Sequence, residues 1–169
     1  MDRYPLIADH GLVGDLQTSA LVSSRGVVDW FAAPRFDSPS IFAALLDHDG
    51  GGYFRLAAEH PEGKWKQLYY PDTAVLVTRF MSPDGVGEVI DWMPPDRTRT
   101  PTDRHTLVRA VRAVRGTVQF ALECRPRGPA TDLTFGPRVP RSGPPGSPRT
   151  CRAPSPWSGT DGTSAARSP

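Results

Sequence analysis

Asparagine is absent from the 169-residue chain, so it holds no N-glycosylation acceptor. Lysine is nearly absent as well, with 18 Arg against 2 Lys, which reads as a compositional bias of the source genome. Only two cysteines occur, Cys124 and Cys151. Neither has a second metal-ligand pair near it, and both read as free thiols in a reducing compartment. The N-terminal Met-Asp-Arg-Tyr-Pro lacks an apolar core, and no run approaches the ~18 apolar residues of a membrane span. A cytoplasmic protein without a membrane partner is expected. Neither glycine-rich nucleotide motif is present, nor the G-x-S-x-G of a serine nucleophile. Asp47-His48-Asp49-Gly50 begins like a calcium loop but lacks its later ligands and closing Glu. His10, His48, His60 and His105 show no helical pairing and read as surface or loop residues. No metal and no cofactor are expected.

What is present is unevenly distributed. Residues 125–169 hold 10 of the 19 Pro, 6 of the 16 Gly and 7 of the Arg, with Leu133, Phe135, Val139 and Trp157 as their large apolar side chains. Such a segment buries too little apolar surface to offset the entropy of ordering it. The first 124 residues carry a net charge of −3 and the last 45 a net +5, so the overall basicity belongs to the tail. Arginines among prolines attract phosphates non-specifically. Without aromatic interleaving beyond Phe135 and Trp157, nucleic acid is not expected as a partner.

Along the chain, residues 7–15 read as a loop or bulged strand. Residues 19–23 and 27–31 flank Ser24-Arg25-Gly26 in the form of a bulged hairpin. Ser38 as cap, Pro39 at the first helical position and Ile41, Phe42, Leu45 and Leu46 at helical spacing predict a short helix over 39–46, stopped by Gly50-Gly51-Gly52. Strands are expected at 53–57, 65–70, 73–81 and 86–93, punctuated by proline and glycine turns, and residues 97–104 read as a polar loop. Arg109, Arg112 and Arg115, three apart, suit either a helix with one basic face or a strand. The strict alternation of Val118, Phe120, Leu122 and Cys124 favours a strand pair, with the preceding segment as its nearest partner. The fold class expected is all-β, an antiparallel β-sandwich of roughly eight strands with one short helix.

The segments G-L-V-G-D, A-L-V-S-S-R-G-V-V-D-W, P-R-F-D-S-P-S-I-F-A-A-L-L-D, Y-P-D-T-A-V-L-V-T-R-F, I-D-W-M-P and L-V-R-A-V resemble, in order and spacing, the N-terminal domain of bacterial trehalases and glucoamylase-like enzymes of glycoside hydrolase family 15. The resemblance covers residues 4–127. It implies a β-sandwich followed, in the family, by an (α/α)6 toroid that carries the two catalytic carboxylates of an inverting hydrolase cutting α-linked glucose disaccharides and oligosaccharides. The toroid is expected as a catalytic partner missing from this chain. Residues 1–127 then form the sandwich, and residues 128–169 form a low-complexity tail that is disordered or follows a change of reading frame. The alternative is a non-enzymatic carbohydrate-binding or interaction module.

An inverting glycosidase needs two carboxyls roughly 6.5–9.5 Å apart. Asp29, Asp37, Asp91 and Glu123 are the nominees, and each has a structural reading: Asp29 and Asp91 precede a Trp in a strand, Asp37 precedes a cap, and Glu123 lies on a polar strand face. No catalytic residue is assigned. Arg35 and Asp37 flank Phe36, where they either brace the turn, with Asp29 as the other acid within reach, or face a sugar for which Trp30 offers a stacking surface. Trp30, Arg35, Phe36 and Asp37 are therefore the candidates for a substrate-side or domain-interface site, with an α-glucoside sugar as ligand.

Overall fold

A period of two, with β-branched and aromatic residues alternating with polar ones, puts successive side chains on opposite faces of a strand. A computed structural model describes residues 4–58, 60–96 and 101–127. The tail expected at 128–169 lies outside the described residues, as do 97–100 of the polar loop. After a 3-10 turn at Ile7–Asp9, ten strands follow: β1 (His10–Gly14), β2 (Ser19–Ser23), β3 (Val27–Ala32), β4 (Ser40–Phe42), β5 (Tyr53–Ala58), β6 (Lys64–Tyr69), β7 (Leu76–Met81), β8 (Gly85–Trp92), β9 (Val108–Gly116) and β10 (Phe120–Arg125). They form two antiparallel sheets, one ordered β1-β2-β3-β5-β10 with β4 added to β3, the other β6-β7-β8-β9. The all-β sandwich is what the pattern predicts.

The hairpin at Ser24-Arg25-Gly26 forms as expected, with Gly26 at φ 76°, a backbone region that costs other residues a steric clash. The helix over 39–46 does not form. Ser38 points its hydroxyl backward to accept from the Arg35 amide instead of capping forward. The amides a helix would have used are taken elsewhere: Ala43 donates to Gly51, Ala44 to Gly52 and Leu45 to Asp29. Residues 40–42 extend as a strand on β3 and the rest is turn. The second correction concerns β9 and β10, which do not pair with each other. The chain crosses between sheets after Gly116, so that β9 lies on β8 and β10 lies on β5.

Two apolar clusters fill the interior. One gathers Val13, Val22, Val28, Phe31, Phe42, Leu76 and Met93, the other Leu56, Phe80, Val89, Val118 and Phe120, and each large side chain contributes about 1.5–3 kcal/mol on burial. Polar bridges tie the sheets together. The Gln67 amide donates to Val22 O and Ser23 O across the sandwich. Arg109, fully buried with Asp91, reaches from β9 to donate to Phe54 O at 2.7 Å and Gly26 O at 2.8 Å, and its guanidinium lies 4.8 Å from the Phe54 ring centroid. At the β1 edge, the Tyr69 hydroxyl accepts from Leu12 N and donates to Leu12 O, closing backbone groups that an edge strand leaves open.

Candidate functional site

Sheet register places Leu12 opposite Leu21 and Leu21 opposite Trp30, so these three share one row. Their neighbours Val13, Val22, Val28 and Phe31 face the core, which puts the row on the outward face of the sheet. An antiparallel sheet with one solvated face ordinarily carries polar residues there. Here the row is apolar, and the turn after β4 adds Leu45 and Leu46. With Ser19 they line a depression of about 230 Å³. Leu12 and Leu46 are largely exposed.

Of the predicted site residues, Trp30 lines this depression. Arg35 and Asp37 are brought together, with Arg35 Nε on Asp37 Oδ1 at 2.9 Å and Nη2 on Oδ2 at 2.7 Å. The pair is 70% and 51% exposed, so it braces a surface turn, and Phe36 projects beside it into solvent. No hydrogen bond, ion pair or ring contact joins Arg35, Phe36 or Asp37 to Trp30 among the described residues.

The four nominated carboxylates are all in ion pairs: Asp29 with His10, Asp37 with Arg35, Asp91 with Arg109 and Glu123 with Arg125. None lines the depression. Only the first of these pairs involves a histidine; His10, and His105 on the further acid Asp15, were both expected on the surface, and the structure instead buries them at 1% and 2% side-chain exposure. His10 Nδ1 lies 2.8 Å from Leu6 O. A carbonyl only accepts, so Nδ1 carries a proton. The 2.8 Å contact of Nε2 with Asp29 Oδ2 then requires a second one, held on the ring or on the carboxyl. Burial raises the Asp29 carboxyl above the ordinary carboxylate range, against the pull of His10, and its Oδ1 has no partner.

The other buried histidine, His105, donates through Nδ1 to Asp15 Oδ2 at 2.5 Å. Asp15 Oδ1 accepts from the Gln17 and Thr18 amides. Burial works to raise this carboxyl, but His105 and the two amides outweigh it and hold it below the usual range. In the second sheet, burial likewise opposes ionisation of Glu88, and Arg112 and Arg79 reverse the effect. Sequence reasoning missed both histidines because their acids lie far away along the chain. An Asp inside an apolar strand, as at Asp29 and Asp91, signalled that a partner was needed without saying which.

The profile of the family described as "Trehalase-like, N-terminal" matches residues 2–134. The chain is 39% identical over 137 residues to the trehalase of Mycolicibacterium smegmatis, covering 73% of this chain and 20% of the relative. It is 35% identical over 137 residues to the trehalase of Mycobacterium tuberculosis, with the same coverage. Against trehalase 1 of Sulfolobus acidocaldarius the identity is 43% over 84 residues, covering 50% of this chain and 14% of the relative. The chain thus spans about a fifth of the length of the first two. No solved structure matches.

Proposed function

Because the chain belongs to the trehalase-like N-terminal family, we propose that it serves as the N-terminal sandwich of a trehalase-type glycoside hydrolase and does not itself cut the glycosidic bond. The observation that carries this reading is the pairing of every nominated carboxylate with a cation or a histidine. Acid and base in an inverting hydrolase must flank a sugar with room for water between them. An acid buried against His10 or Arg109 has no access to substrate. Hydrolysis of trehalose or of related α-linked glucosides then rests on carboxylates outside this segment, in an (α/α)6 body of the glucoamylase-like type.

In this reading the Leu12, Leu21 and Trp30 row with Leu45 and Leu46 is the side that meets the catalytic body. An apolar sheet face gains free energy by being covered. The Arg35–Asp37 turn, with Phe36 at its tip, sits as the rim towards the sugar. The test uses a full-length trehalase carrying this sandwich. Asp37→Asn and Glu123→Gln should each leave kcat on trehalose within about twofold, since in this reading neither carboxylate takes part in breaking the bond and surface substitutions of that kind change little. A loss of about a thousandfold in kcat with the fold intact, the scale on which removing an essential acid or base acts, overturns the proposal.

A further inference from the structure

The outer face of the β6–β9 sheet carries a different pattern. Register sets Lys66 opposite Arg79, Arg79 opposite Glu88 and Glu88 opposite Arg112, one row across four strands. The adjacent row runs Lys64, Met81, Val86 and Arg115. Arg112 and Arg115 reach the same face because the pairing slips between Val86 and Gly87, leaving Val114 as an extra residue on β9. Gly87 faces inward, since a Cβ there would meet Phe120 and Val118. Among the described residues these two rows therefore hold Lys64, Lys66, Arg79, Arg112 and Arg115 against Glu88 alone.

Glu88 fixes the two central arginines. Its buried carboxylate takes Nε and Nη2 of Arg79 on one oxygen and the same atoms of Arg112 on the other, while Arg112 also donates to the Tyr70 hydroxyl. The Arg79 and Arg112 side chains stay 42% and 51% exposed. Each is held oriented, with no acceptor on its Nη1 among the described residues, so little rotamer entropy remains to be lost on binding. Beside this ladder lies an aliphatic row in which the half-buried Leu68, Ile90 and Ala110 accompany a fully buried Val77. The rows span about 14 Å at ordinary strand spacing, and the depression described above lies on the other sheet. A flat, wide face suits a macromolecule better than a small anion. An apolar row alongside the cations suits side chains better than a bare phosphate backbone.

We propose that this face docks an acidic polypeptide segment whose carboxylates meet Lys64, Lys66, Arg79, Arg112 and Arg115 and whose alternate apolar side chains lie over Leu68 and Ile90. The partner is complementary in charge to the face and opposite in sign to it. The inference is independent of the trehalase reading. Its test is fluorescence anisotropy with the full chain and a labelled peptide alternating Glu and Leu, compared with the Lys64→Glu/Lys66→Glu/Arg115→Glu variant, which leaves the Glu88 pairs untouched. The arginine-rich tail is common to both proteins, so a difference between them reports the sheet face alone. Affinity should fall at least about tenfold in the variant, with a marked loss at high salt for the parent protein. Should the triple variant fail to fold, Lys66→Glu alone, with Lys66→Arg restoring affinity, makes the same test. Equal affinity of parent and variant overturns the proposal. So does an oligothymidine or a phosphatidylglycerol vesicle that binds as tightly as the peptide and loses binding with the same substitutions.

Discussion

The two sheets settle buried charge by different means. In the β1–β5 sheet and its flanking loops the acids Asp15 and Asp29 are met by the imidazoles of His105 and His10. In the β6–β9 sheet Asp91 and Glu88 are met by the planar guanidiniums of Arg109, Arg79 and Arg112. Their outer faces differ in the same sense, one an apolar row and the other a ladder of cations. The lesson is that one domain answers its buried acids with imidazoles in one half and with guanidiniums in the other, the halves being joined through Gln67 and Arg109.

The joint is the place to break. Arg109→Ala leaves Asp91 buried without a counter-charge and takes one donor each from Phe54 O and Gly26 O, and should cost about 3–5 kcal/mol in a urea titration. Asp91→Leu/Arg109→Met, which removes both charges and keeps the volume apolar, should recover most of that loss. A variant pair that differs by less than about 1 kcal/mol would mean that Arg109 is not the strut described.

A smaller effect separates the halves by pH. The Glu88 carboxyl is held below its ordinary range, so its contribution is complete above the unfolded value of about pH 4.3 and is lost as pH falls through the folded one. Asp29 is raised, so its protonated form favours the fold, and that contribution is lost as pH rises through the folded value. Glu88→Gln should therefore flatten the acid limb of a plot of denaturation midpoint against pH. Asp29→Asn, whose amide can donate to His10, should flatten the opposite slope at a cost within about 1 kcal/mol. Identical pH profiles for the two variants would remove the distinction.

The smallest effect belongs to the apolar row. Leu12→Lys and Leu46→Lys, at exposed positions, should shift stability by less than about 0.5 kcal/mol while raising soluble yield. A large drop in melting temperature would place those residues in the core.

How much of this was legible depends on how local the deciding contacts are. The β2–β3 hairpin was readable because Ser24-Arg25-Gly26 dictates its own turn, and the Arg35–Asp37 brace because its partners are two residues apart. The helix over 39–46 failed because the spacing of Ile41, Phe42, Leu45 and Leu46 competes with hydrogen bonds that the Ala43, Ala44 and Leu45 amides donate to the carbonyls of Gly51, Gly52 and Asp29. The arginine triplet splits for a similar reason. Arg109 turns inward to Asp91 while the slip at Val114 keeps Arg112 and Arg115 outside. Strand β10 finds β5 rather than its neighbour in sequence, since Val118 and Phe120 complete the cluster with Leu56 and Phe80. The apolar row with Trp30 needed register, which no single strand reveals.

The central claim is that the acids of this sandwich hold structure and leave the chemistry to another part of a trehalase-type enzyme. The most direct measurement is glucose release from trehalose by this chain alone, at high protein concentration and over a range of pH. The account predicts no release above the buffer blank. Turnover that scales with protein and vanishes in Asp37→Asn or Glu123→Gln would contradict it.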